Sequence, residues 1–330
     1  MTPIDHAARI GRVADEVAGG VLLVTDLTDL RWLTGFDTSN GWAVVRSGEL
    51  IVGTDGRYGD KAIAETAGTG ARVIVEQDRA RLQQQRDELS VGATNDGLIR
   101  RLRRVKDAAE IERIEEAARI ADAALGEVEP MLAGASELDV RAELEYRMVG
   151  LGADDRSYPT IVASGPDHAA RPHHGASRRT IQEGDTVIVD VGALVDGYHS
   201  DMTRSWVIGL ATEQQRDVYE LVVKSQQAGL DAVAASATSR DVDAACRNVF
   251  DQGGMLDWYL HATGHGVGLD IHEQPFHNQA SEAELLAGMV VTVEPGLYRG
   301  GFGGFRIEDL VLVTDAGHRV LTHSPKRELN

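Results

Sequence analysis

Five residues in the second half of the chain occupy settings that they cannot hold alone. They are Asp190 in VIVDVGA, Asp201 in SDMTRS, His265 in TGHGVGLDIH, Glu294 in VVTVEPGLY and Glu308 in FRIEDLVLV. A carboxylate inside or at the end of an apolar run carries a heavy desolvation penalty unless a cation neutralises it. The fold must therefore bring these groups together. Four carboxylates and one imidazole suit a pair of divalent ions, with hard oxygen ligands and one borderline nitrogen. The chain reads as a dinuclear metal hydrolase.

The local patterns agree with convergence. Asp190 and Asp201 lie eleven residues apart with an Asp196-Gly197 turn between them. If 186–209 forms two strands around that turn, the carboxylates face each other. Like charges so close disfavour ionisation unless they share a cation. A strand end for Asp190 and a turn cap for Asp201 is the alternative. His265 is framed by Gly264, Gly266 and Gly268, which permit close approach to an ion and a substrate; a lone histidine there also fits a structural role. Glu294 precedes Pro295-Gly296, a turn signal. Glu308 sits among Phe305, Ile307, Leu310, Val311 and Leu312, a setting that does not leave a carboxylate unpaired.

A length of 330 residues suggests two domains, placed at 1–104 and 105–330. In the first, 19–26 and 71–78 read as strands, 42–53 as a hairpin turning at Ser47-Gly48, and 59–66 as a helix. In the second, Asp107 and Glu110 have capping-box spacing. Ile111, Ile114, Ala118, Ala121 and Leu125 then recur on one helix face. Further helices are expected at 137–150, 212–234 and 239–252, and a strand at 158–165. MVVTVEPGLY and FRIEDLVLVT read as strands separated by a Gly-rich loop over 298–305. The order suggests two similar α/β halves in an α+β chain.

Lys plus Arg number 33 against 52 Asp plus Glu, a net charge of -19. That field argues against nucleic acid and anionic membrane as partners. The basic run IRRLRRVKD (99–107) lacks interleaved aromatics and reads as a solvated connector. The single cysteine, Cys246, permits no intramolecular disulfide and reads as a small buried residue. MTPIDHAARIGR has no apolar signal core and no run reaches transmembrane length, so the expected location is the cytoplasm.

VIVDVGALVDGYHSDMTRS, HATGHGVGLDIHEQP, VTVEPGLY and RIEDLVLVT in combination resemble the creatinase/aminopeptidase ("pita-bread") metallopeptidase family, in its prolidase and aminopeptidase P branch. DLRWLTGFDTSN and DGRY resemble, more loosely, its smaller N-terminal creatinase-type domain. The resemblance implies a C-terminal pita-bread domain in which Asp190 is the terminal ligand of one metal. Asp201 and Glu308 would bridge, and His265 and Glu294 would hold the second metal. It further implies a metal-bridging hydroxide nucleophile, with Glu294 also shuttling the proton. His173, rather than the adjacent His174, matches the substrate-side histidine. His272 matches the one that bonds the oxyanion, and His261, Arg306 and Tyr298 match the proline pocket. The implied activity is Xaa-Pro dipeptide hydrolysis with two Mn2+ ions, in a homodimer; Co2+, Zn2+ and Fe2+ also suit the ligands. The alternatives are aminopeptidase P activity on longer peptides, or metal-dependent hydrolysis or lysis of a non-peptide compound.

Overall fold

The computed structural model of the chain describes residues 1–46, 48–94 and 97–330. The expected turn at Ser47 lies outside the described residues. Two compact units form, Thr2–Arg103 and Arg104–Asn330, the latter taking in Met1.

The first unit contains α1 (His6–Val17), β1 (Val21–Val24), α2 (Leu27–Thr34), β2 (Gly41–Arg46), β3 (Glu49–Thr54), α3 (Gly59–Glu65), β4 (Arg72–Val75), α4 (Arg79–Leu89) and α5 (Leu98–Arg103). Its sheet runs β1-β2-β3-β4. The last pair is parallel, so α3 supplies the crossover that parallel strands require. Asp5, Asp26 and Asp78 accept from free amides at the starts of α1, α2 and α4. Trp42, Val44, Ile51 and Leu82 form one core cluster, and Val13, Leu30, Trp32, Leu33 and Phe36 are also buried.

The second unit begins with α6 (Ala108–Val128), α7 (Glu137–Gly150), β5 (Asp155–Arg156), β6 (Ile161–Ser164) and α8 (Gly165–His168). Next come β7 (Thr186–Asp190), β8 (Ala193–Val195), β9 (Tyr198–His199), β10 (Thr203–Val207), α9 (Glu213–Ala232) and α10 (Ser239–Gln252). The strands β11 (Gly264–Gly266), β12 (Glu273–His277), β13 (Val290–Val293), β14 (Gly296–Arg299), β15 (Gly303–Arg306), β16 (Asp309–Thr314) and β17 (Gly317–Val320) complete it. Capping boxes start α6, α7, α9 and α10, from Asp107, Ser136, Thr212 and Thr238. Each satisfies two orphan donors reciprocally.

Two helix-backed sheets dominate this unit. Ile120, Leu125, Leu144 and Met148 of α6 and α7 pack on Val162, Val187 and Val189 of the sheet β10-β7-β6. Leu230, Val242 and Cys246 of α9 and α10 pack on Val291, Val293, Val311 and Val313 of the sheet β12-β11-β13-β16-β17. Each such side chain contributes about 1.5–3 kcal/mol on burial. The result is an α+β fold with helices on the outside of each half.

Three local expectations are corrected. Segment 186–209 is four strands rather than two. β7 pairs with β10 in one sheet, while β8 and β9 form a separate hairpin about Asp196-Gly197, in a sheet with β5. The break occurs where the Ser200 carbonyl crowds Gly192; a Cβ there would stand 1.9 Å from that oxygen. Most of the Gly-rich segment 298–305 is strand: β14 and β15 pair directly, with Tyr298 opposite Gly304. The basic run is not a solvated connector throughout. Arg103 is 3% exposed and bonds Asp29 at 2.7 Å, while Lys106 is 5% exposed and pairs with Glu273. Burying those ammonium and guanidinium groups demands such partners. Among the described residues, no helix is long and apolar enough to cross a membrane.

Candidate metal centre

The two inner sheets deliver the five residues to one cavity of about 460 Å3. Asp190 ends β7, and Asp201 lies two residues before β10. His265 is the centre of β11, Glu294 follows β13 and Glu308 sits between β15 and β16. All five line the cavity, together with His173, His261, His272 and Arg306. Tyr298 stands one layer back, 2% exposed, behind His261 and Arg306. His174 turns away and stacks on His168, ring centroids 4.1 Å apart. A larger cavity of about 550 Å3, lined by Asp122, Glu129, Trp206 and Arg319 among others, shares none of these residues.

The glycines around His265 answer to neighbouring backbone. A Cβ at Gly264 would stand 2.1 Å from the Thr292 carbonyl, and one at Gly266 would stand 2.5 Å from that of Gln274. β11 is pressed between β12 and β13, which fixes where the imidazole projects.

The imidazole's tautomer follows from its partners. His265 Nδ1 lies 3.0 Å from the Gly266 carbonyl, which can only accept, so Nδ1 carries the proton. Nε2 then presents a lone pair, 3.5 Å from Asp201 Oδ2 and 3.4 Å from Glu294 Oε1. A lone pair facing two carboxylate oxygens is repulsive unless a cation sits among them. Asp201, His265 and Glu308 each offer one donor atom, mutually within 4.8 Å. The residues therefore fit divalent metal. Burial and mutual repulsion push Asp201 and Glu308 well above the ordinary carboxylate range, and burial pushes Glu294 up to about 7. Cation charge is the natural compensation.

Arg306 ties the surroundings together. Its Nη2 donates to Asp190 Oδ2 at 2.6 Å, Nη1 to Tyr298 Oη at 2.8 Å and to the Pro172 carbonyl at 3.0 Å, and Nε to Thr203 Oγ1 at 3.0 Å. Thr203 in turn donates to Glu308 Oε2 at 2.7 Å. His261 Nδ1 donates to the Ala262 carbonyl at 2.7 Å, so its Nε2 accepts from Tyr298 Oη at 2.9 Å. Burial lowers the His261 pKa to about 4, and the ring is neutral. The His272 ring lies edge-on to that of His265, centroids 4.4 Å apart.

Sequence reasoning missed Tyr158, whose hydroxyl bonds both Asp190 and Asp201. Its one proton can serve only one carboxylate at a time. It also missed Thr203 and Thr292, the latter accepting from the His265 amide at 3.1 Å. The available signal was a Tyr-Pro step opening the strand segment YPTIVASG, which names no chemistry by itself.

A cavity that gathers buried carboxylates around an unprotonated imidazole nitrogen defines a metal-dependent hydrolase. The model of metallopeptidase family M24 matches residues 112–315. The chain is 43% identical over 235 residues to the Xaa-Pro dipeptidase of Pyrococcus furiosus, covering 71% of this chain and 67% of that one. Its structure superposes on the Xaa-Pro dipeptidase from Bacillus anthracis with a TM-score of 0.89 at 33% identity, over 98% of both chains. It also superposes on the X-Pro aminopeptidase from Thermotoga maritima, TM-score 0.87 at 28% identity, over 99% of both. The chain belongs to metallopeptidase family M24, in the prolidase branch of the pita-bread enzymes. It is a peptidase whose family uses divalent metal ions.

Proposed function

We propose that this peptidase hydrolyses Xaa-Pro dipeptides with two divalent ions, Mn2+ the preferred metal, held by Asp190, Asp201, His265, Glu294 and Glu308. The observation that carries the reading is the unprotonated Nε2 of His265 aimed at the buried Asp201 and the partly buried Glu294 in the same cavity as His173, His261 and His272. Bound ions would supply Lewis acidity and lower the pKa of a water between them from ~16 toward ~7.

The chain's own groups divide the remaining work. Glu294, the carboxylate that follows β13 at the edge of the set, takes the proton of the attacking water and returns it to the leaving nitrogen. His272, its pKa lowered by burial, keeps a neutral N–H to donate to the developing oxyanion. His173 reaches the cavity from an exposed loop and meets the substrate beside the scissile bond. Neutral His261, backed by Tyr298 and Arg306, forms the wall for the proline ring. That ring needs a dedicated wall because its nitrogen has no N–H to recognise.

The nearly as good superposition on an X-Pro aminopeptidase keeps a second reading, removal of the residue before proline from longer peptides. A homodimer in the cytoplasm completes the proposal. The test is a panel of Xaa-Pro, Xaa-Pro-Yaa and Xaa-Ala peptides, assayed with Mn2+ and again with chelator. Turnover of Xaa-Pro alone, abolished by chelator, is expected. Preference for Xaa-Pro-Yaa selects the aminopeptidase, and turnover of none sinks both peptide readings.

A further inference from the structure

Behind the His261 wall, α10 buries a carboxylate completely. Asp243 is 0% exposed and accepts from Arg247 Nε at 2.6 Å and Thr263 Oγ1 at 2.7 Å. A buried charge needs such partners, and both of these lead to segment 259–263. Arg247 lays its guanidinium over the Tyr259 ring, 4.6 Å from the centroid, and its Nη2 donates to the His261 carbonyl at 3.3 Å. Thr263 gives its one proton to Asp243, so the Tyr259 hydroxyl must be the donor in their 2.6 Å bond. The Tyr259 ring stands edge-on to His261, centroids 5.3 Å apart. The Thr263 carbonyl accepts the Glu294 amide at 2.8 Å.

We infer that Asp243 and Arg247 are positioning residues that set selectivity for proline. Tyr298 holds the far end of the His261 ring and Arg247 holds its backbone carbonyl. With the Nδ1 bond to the Ala262 carbonyl these make three fixed points, which define the plane of the wall, whereas loss of the carbonyl anchor leaves it free to tilt. A displacement near 1 Å at such a wall is costly to a tightly fitted substrate. The inference rests on the reading of His261 as the proline wall. Arg247 can also be reached from outside. A separate cavity of about 370 Å3, lined by Arg240, Asp243, Arg247, Asn248 and Asp251 among others, opens on its outer side, and its side chain is 22% exposed.

The test compares Arg247→Ala and Arg247→Lys with the wild type in the Mn2+-loaded enzyme. It measures kcat and KM on Xaa-Pro and Xaa-Ala dipeptides, bound metal and thermal midpoint. Arg247→Ala should raise KM for Xaa-Pro about tenfold, with kcat and metal content little changed. The Xaa-Pro to Xaa-Ala ratio should drop by the same factor. Millimolar ethylguanidinium, entering from the outer cavity, should restore much of the loss. Arg247→Lys can keep the pair with Asp243 across one helical turn but cannot stack and bond the carbonyl as Arg does. It should hold its thermal midpoint and still lose selectivity. Equal losses on both peptides, or no loss in a folded variant, overturn the inference. If the wild type itself shows no preference for Xaa-Pro, the substrate reading falls separately. Amide exchange across 259–263 then decides the brace: faster exchange in Arg247→Ala supports it and unchanged exchange removes it.

Discussion

Arg306 and Asp190 form an ion pair in the cavity wall, Nη2 to Oδ2 at 2.6 Å, with the arginine side chain 3% exposed and the aspartate 14%. The same guanidinium also serves Thr203, Pro172 and Tyr298. An ammonium cannot reproduce that fork. Arg306→Lys should therefore lower kcat/KM on Xaa-Pro by about 100-fold or more, in keeping with ~3 kcal/mol for a broken buried pair. Steady-state kinetics at saturating Mn2+ decide it; near wild-type turnover would dismiss the fork.

Asp201→Ala and Glu308→Ala each remove a carboxylate assigned to both ions. Metal content after gel filtration should fall by at least one equivalent, and hydrolysis should drop about 1000-fold or more. Full metal occupancy in an active variant contradicts the bridging assignment.

His277 supplies a pH prediction. It is fully buried on β12, neither ring nitrogen has a hydrogen-bond partner among the described residues, and burial lowers its pKa to about 3. The unfolded chain takes up a proton near pH 6.5 while the folded chain resists it. Stability from this group is complete above pH 6.5 and lost as pH falls toward 3, by up to ~1.4 kcal/mol per unit. His277→Leu should flatten the acid limb of urea midpoints measured from pH 7 to pH 4. An identical slope in both proteins counts against it.

Glu137 holds the loop that carries His173. Its two oxygens accept from the amides and hydroxyls of Ser164 and Ser177 and lie about 3 Å from His168 Nδ1. Glu137→Gln turns one oxygen into a donor facing donors, at a cost of about 1–3 kcal/mol. A lowered thermal midpoint and an approximately tenfold loss of kcat/KM should appear together. A destabilised variant with unchanged kinetics would confine Glu137 to stability.

Four of the five cavity residues were legible because each breaks a local rule, charge in or at the end of an apolar run or histidine between glycines; Asp201, in the polar stretch SDMTRS, was legible only from its spacing to Asp190 and from the resemblance. The long helices were legible from caps and periodicity, and α10 spans the expected 239–252. The rest depends on contacts between distant segments. Nothing local in VIVDVGALVDG says that Gly192 meets Ser200 and splits the hairpin. Lys106 looked solvated because its partner Glu273 is 167 residues away. Nothing local in the helix 239–252 says that Thr263 and Arg247 close over Asp243.

The shared fork of Arg306 has a consequence for biosynthesis. Its acceptors come from a loop and three strands, and the proposed ligands span Asp190 to Glu308. A ribosome-bound chain that stops short of residue 308 owns neither the final carboxylate nor the geometry that aims the others. On the proposed ligand set, hydrolytic competence thus waits on the stretch of chain between β15 and β16.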